Sequence, residues 1–70
     1  MAADQRRVIK IERLGSLNEL ANGLGLTTQY VQTPGKTHYT NTYTLDINFN
    51  GKDVRLRYEE TLPNGWGVLA

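Results

Sequence analysis

The sequence predicts an α+β fold: a three- to four-stranded, mainly antiparallel sheet in the chain order β-α-β-β-β, with one short helix packed on one face. Three observations carry this. Apolar and polar residues alternate with period two from Tyr39 to Leu62 on both sides of an Asn50-Gly51 pair, which is the pattern of a hairpin with one dry and one wet face. The period changes between Leu17 and Leu24, where Leu17, Leu20, Ala21 and Leu24 recur at helical spacing. Two further stretches, Val8 to Arg13 and Thr27 to Thr33, are rich in β-branched and aromatic residues, the composition of strands.

The hairpin is the best specified element. Asn-Gly favours a two-residue type I′ turn because both central residues take positive φ, which glycine permits and asparagine tolerates. That turn sets Phe49 opposite Lys52, Ile47 opposite Val54, Leu45 opposite Leu56 and Tyr43 opposite Tyr58 on the dry face. On the wet face Asp46 then meets Arg55, Thr44 meets Arg57 and Thr42 meets Glu59. A slip by one residue would set apolar against polar at every pair, so turn chemistry and binary pattern agree.

In chain order, residues 1–5 read as a flexible polar start. In Val8 to Arg13, Ile9 and Ile11 face inward, while Val8, Lys10 and Glu12 face outward. Gly15 ends this strand. Ser16 with Glu19 matches a capping box for a helix from Leu17 to Leu24, and Gly25 suits its left-handed C-terminal residue, with Leu26 folding back on Leu20 or Ala21. Pro34-Gly35 reads as a type II turn with positive φ at the glycine. A tight turn flanked by Thr33 and Lys36 would set Tyr30 opposite Tyr39, but unprimed turns fit two-residue hairpins poorly, so a bulge is expected here. Leu62-Pro63-Asn64-Gly65 is a third turn signal, and residues 63–70 form a C-terminal tail that packs on the sheet, with Trp66, Val68 and Leu69 returning as a strand or lying over an open end of the core.

The 70 residues suit one small domain, 1–70, with little stability to spare. There is no cysteine, so disulfides, thiolate metal sites and a cysteine nucleophile are excluded together, and a cytoplasmic setting is expected. No run is long and apolar enough for a membrane span, and the first residues lack the apolar stretch of a signal peptide. Eight Lys and Arg against seven Asp and Glu give no basic excess for phosphate backbones, so nucleic acid is the less favoured partner. The single histidine, His38, lacks a second ligand nearby. Glu59 and Glu60 point to opposite faces of their strand, and the glycines of 23–25 and 65–67 lack phosphate-loop context. No enzyme, cofactor or metal site is expected.

Two surfaces are candidates for binding another protein. One is the wet face, with Thr42, Thr44, Arg55, Arg57 and Glu59, where the arginines are the natural anchors. The other follows from lengths. A helix from Leu17 to Leu24 covers about 12 Å, whereas Tyr39 to Phe49 extended spans about 36 Å. The far end of the dry face gathers Tyr30, Tyr39, Tyr43 and Tyr58, residues that pack well and keep a polar tip. The tail around Trp66, a protein partner or a second copy of the chain would cover them.

The stretch from Leu17 to Val31 also resembles a helix-turn-helix DNA-binding motif. Ala21 stands at the helix contact, Gly25 in the turn, Leu20, Leu24 and Leu26 at core positions and Val31 on the second helix. The resemblance implies a first helix over Asp4 to Arg13, a recognition helix presenting Thr28, Gln29, Tyr30 and Gln32 to the major groove, and the long hairpin as the wing of a winged-helix regulator. The motif expects an apolar residue where this chain has Pro34, and TTQYVQT favours strand.

The expected function is that of a small non-enzymatic protein that docks on another protein. It would serve as an accessory or inhibitory factor, a phage-borne inhibitor included. DNA binding of winged-helix type is the alternative.

Overall fold

A computed structural model describes residues 7–65. The elements are β1 (Arg7–Lys10), α1 (Leu14–Leu24), β2 (Gln29–Thr33), β3 (His38–Phe49) and β4 (Lys52–Pro63). One four-stranded mixed sheet has the order β1-β4-β3-β2. β1 lies parallel to β4, and the other pairings are antiparallel. The α+β class and the order β-α-β-β-β are as the sequence predicts.

The hairpin has the expected register throughout, from Phe49↔Lys52 at the turn through Leu45↔Leu56 and Tyr43↔Tyr58 to Tyr39↔Leu62. Asn50 and Gly51 have φ of 53° and 79°, the positive values that their turn requires. The Asn48 side chain accepts the Gly51 amide at 3.2 Å and steadies the tip.

β1 and β2 run in the same direction at opposite edges of the sheet, and α1 connects them across β4 and β3. Three interstrand spacings are about 14 Å, and the 11 residues of α1 extend about 16 Å. The helix therefore matches the width of the sheet rather than the length of its strands. It packs over the middle of one face, where Leu17, Ala21, Leu45 and Leu56 form the buried cluster, with Ile11, Leu14, Tyr43, Ile47, Val54 and Tyr58 partly buried around it.

Several local expectations are corrected. The helix starts at Leu14, one turn early, with Arg13 as its N-cap and no side-chain cap bond, so the Ser16-Glu19 capping box does not form. Packing of Leu14 against the core extends the helix despite Gly15, whose propensity cost is about 1 kcal/mol. The apolar stripe is narrower than its spacing suggests: Leu17 and Ala21 are buried, whereas Leu20 and Leu24 are exposed. At the other end Gly25 is left-handed, with φ 70°. The Gly25 amide donates to Asn22 O and the Leu26 amide to Ala21 O, the two bonds of a Schellman ending.

β1 is shorter than expected, stopping at Lys10, although the Ile11 amide still donates to Arg57 O at 2.7 Å. Ile9 shares the helix-side face with its partner Leu56 and remains 42% exposed.

The connection between β2 and β3 is no tight turn. Tyr30 pairs with Tyr43, not Tyr39, and the pairing ends at Thr33↔Thr40. Gly35 does not take positive φ; glycine is needed there because a Cβ would collide with the His38 carbonyl. Asn64 clasps the loop, its amide nitrogen Nδ2 donating to Gly35 O and Lys36 O at 2.9 and 3.0 Å and its backbone N–H donating to Thr37 O at 2.9 Å. These bonds to loop carbonyls hold a wider loop than the Pro-Gly pair alone implies.

The expected flexible start, 1–5, and the packing of Trp66, Val68 and Leu69 lie outside the described residues. Within them, no helix is long and apolar enough to cross a membrane.

Candidate functional site

On the face that carries α1, β3 and β4 run on past Leu45 and Leu56 of the buried cluster. Alternation brings three tyrosines side by side there, one from each of β2, β3 and β4, since Tyr30 pairs with Tyr43 and Tyr43 with Tyr58. The ring centroids are 5.0 Å apart for Tyr30 and Tyr43 and 6.0 Å apart for Tyr43 and Tyr58, both tilted, within the range of favourable aromatic pairs. Tyr30 is 51% exposed; Tyr43 and Tyr58 are half-buried.

The next row on the same face is polar: Gln32, Asn41 and Glu60, again one from each strand. Asn41 is buried, and its hydrogen bonds explain how. Its Oδ1 accepts from the Tyr30 hydroxyl at 3.0 Å and from Gln32 Nε2 at 3.0 Å, and its Nδ2 donates to Glu60 Oε2 at 3.1 Å. Gln32 Nε2 also donates to the Tyr30 hydroxyl at 3.1 Å. The network holds the Tyr30 hydroxyl in place, as a buried amide with partners on both sides would. Burial, then the nearby Glu60 carboxylate, pushes the Tyr43 hydroxyl above its usual 10.0.

Of the four tyrosines expected to cluster, three do. Tyr39 lies two rows further along and is 1% exposed, so it presents no surface; its hydroxyl is buried without a hydrogen-bond partner. Trp66 lies outside the described residues. Sequence reasoning missed Asn41, Gln32 and Glu60. The signal was present: Asn41 interrupts the apolar series Tyr39, Tyr43, Leu45, and the hairpin register sets it opposite Glu60.

The opposite face carries the other candidates. Arg55 and Asp46 form a two-pronged ion pair, with Nε to Oδ1 at 2.8 Å and Nη2 to Oδ2 at 3.2 Å. Thr42 donates to Glu59 Oε2 at 3.2 Å, and Thr40 and Thr61 hydroxyls lie 3.2 Å apart. Arg57 stands opposite Thr44 and beside Lys10 of β1, and its Nε is buried without a hydrogen-bond partner. Arg55, Glu59 and Thr42 thus serve the cross-strand ladder, whereas the tyrosine row leaves Tyr30 exposed at the sheet edge.

The helix-turn-helix geometry does not form. Gln29–Thr33 is a strand, and Arg7–Lys10 is a strand where the motif requires its first helix. His38 is exposed, with Nδ1 2.9 Å from the Thr37 hydroxyl. Among the described residues no group of three His, Cys, Asp or Glu could hold a metal ion. Comparison with models of protein families, with curated proteins and with solved structures finds no match.

Proposed function

We propose that this chain is a non-enzymatic binding protein that docks on another protein through the tyrosine row and its flanking amide-carboxylate row, acting as an accessory or inhibitory factor. The observation that carries the reading is the row Tyr30-Tyr43-Tyr58, aligned across three strands, with Tyr43 and Tyr58 against the margin of the core and Tyr30 at its exposed end tethered to Asn41. Tyrosine supplies large contact area at small entropic cost because only two side-chain torsions are fixed on binding, and adjacent amides supply adaptable hydrogen bonds. Neighbours have already restricted these rings, so still less ordering remains for a partner to impose.

The test is capture from a lysate of cells that express the chain, with nuclease treatment, comparing wild type with Tyr30→Ala and with Arg55→Ala/Arg57→Ala. The reading expects a nuclease-resistant protein partner that Tyr30→Ala loses and the arginine pair retains. A partner kept by Tyr30→Ala and lost by the arginine pair would move the site to the other face. Capture that disappears with nuclease would replace protein docking by nucleic-acid binding.

A further inference from the structure

We infer that β2 pairs edge to edge with β2 of a second copy, antiparallel about Val31, so that two four-stranded sheets become one sheet of eight and each tyrosine row continues into the amide-carboxylate row of the other copy. The inference rests on the strand edge and not on the docking reading above. β1 and β2 are the two edges of the sheet, and they differ in how they are protected. The β1 edge carries Arg7 and Lys10 in its four residues, and edge charges oppose pairing with another chain. No charged residue occurs from Leu20 through Gly35, between Glu19 and Lys36, so the whole β2 edge lacks that protection. Tyr30 and Val31 on it are 51% and 60% exposed.

A second copy is the occupant because this edge complements itself. Antiparallel pairing about Val31 sets Val31 against the partner's Val31 and Tyr30 against the partner's Gln32. Gln29 then meets the partner's Thr33. Each contact is neutral with neutral, and directly opposed residues share a face. Tyr30 against Gln32 repeats a contact the chain already makes with itself, where Gln32 Nε2 donates to the Tyr30 hydroxyl. The row Tyr58, Tyr43, Tyr30 would then run on into Gln32, Asn41 and Glu60 of the other copy. Each copy thereby contributes half of a continuous aromatic-to-acidic strip. A two-fold pairing of this kind closes on itself as a dimer and leaves the charged β1 edges outermost.

Light scattering and sedimentation equilibrium of the full chain test this, from about 5 to 500 µM, the range of weak homodimers. Wild type is expected to approach twice its 7.9 kDa. Val31→Lys, on an exposed side chain, places like charges on the dyad and is expected to give a monomer with unchanged circular dichroism. Val31→Glu should do the same, and mixing the two variants should restore the dimer. A wild type that stays monomeric, a Val31→Lys variant that stays dimeric, failure of the mixture to recover, or open-ended polymers would each overturn the inference. So would a dimer that survives Val31→Lys and dissociates with Phe49→Ser at the hairpin tip. Failure of the capture experiment leaves the dimer measurement unaffected, so the two readings fail separately.

Discussion

Asn41 Nδ2 donates to Glu60 Oε2 at 3.1 Å across the hairpin, on the helix-side face, between the pairs Tyr43↔Tyr58 and Tyr39↔Leu62. A buried amide opposite a carboxylate is a poor choice for stability alone, because each group loses water and must recover its bonds from neighbours. Here the recovery also fixes Tyr30 and Gln32.

Asn41→Leu keeps the volume but strips partners from Glu60, Tyr30 and Gln32 at once. The expected loss is about 1–3 kcal/mol, the range for leaving buried polar groups unsatisfied. Removing Glu60 as well, as Asn41→Leu/Glu60→Leu, should recover part of it, because replacing both partners by apolar groups is nearly neutral. Urea unfolding of the two single variants and the double variant measures the coupling. Strict additivity would show that the bond does not contribute.

Tyr43 titrates late because burial and the Glu60 charge disfavour its phenolate. The folded chain keeps this proton at a pH where the unfolded chain releases it. The contribution is therefore fully present below pH 10.0, the ordinary value, and is lost as pH rises through the raised one. Thermal unfolding of wild type should fall more steeply above that pH than unfolding of Tyr43→Phe. Absorbance titration should show a late-ionising tyrosine signal in the wild type that is missing in the variant.

Much of this was legible in the sequence wherever a local rule and the fold agreed. Asn50-Gly51 and the alternation from Tyr39 to Leu62 specify the same register, and the hairpin follows it at every pair. Gly25 ends the helix by the geometry its position suggests. Legibility failed where tertiary contacts outweighed a local signal. Burial of Leu14 overrode the Ser16-Glu19 box, and the Asn64 clasp replaced a Pro-Gly turn with a wider loop. The tyrosine row was read from alternation and helix length, but placing Tyr30 beside Tyr43 required the register of β2, which the loop sets. Asn41 is not legible from alternation, because its burial depends on partners from β2 and β4 that only the assembled sheet brings to it.

The helix stripe separates by substitution. Leu17→Ala empties a site that is 0% exposed and should cost about 2–5 kcal/mol, a large share of what a chain of this size has. Leu20→Ala, at 40% exposed, should cost much less, although both residues belong to the same apolar spacing. Chemical denaturation of the two variants decides it. Equal losses would mean that α1 presses its whole stripe onto the sheet.

The loop between β2 and β3 offers the sharpest test of register. A Cβ at Gly35 has no room against the His38 carbonyl, so Gly35→Ala must open the loop, and with it the clasp in which Asn64 Nδ2 reaches Gly35 O and Lys36 O. Gly35→Ala is expected to destabilise by about 1–3 kcal/mol, in the range for backbone effects at a constrained glycine. Asn64→Ala should cost about 1 kcal/mol, that of a typical hydrogen bond. Once the loop has opened, the clasp is already lost, so the double variant should be little worse than Gly35→Ala alone. Hydrogen exchange at the β2–β3 pairs supplies the structural readout. Faster exchange at Val31 and Thr33 than along the β3–β4 pairs ties the loop to the strand that positions Tyr30, and uniform exchange across the sheet would separate them.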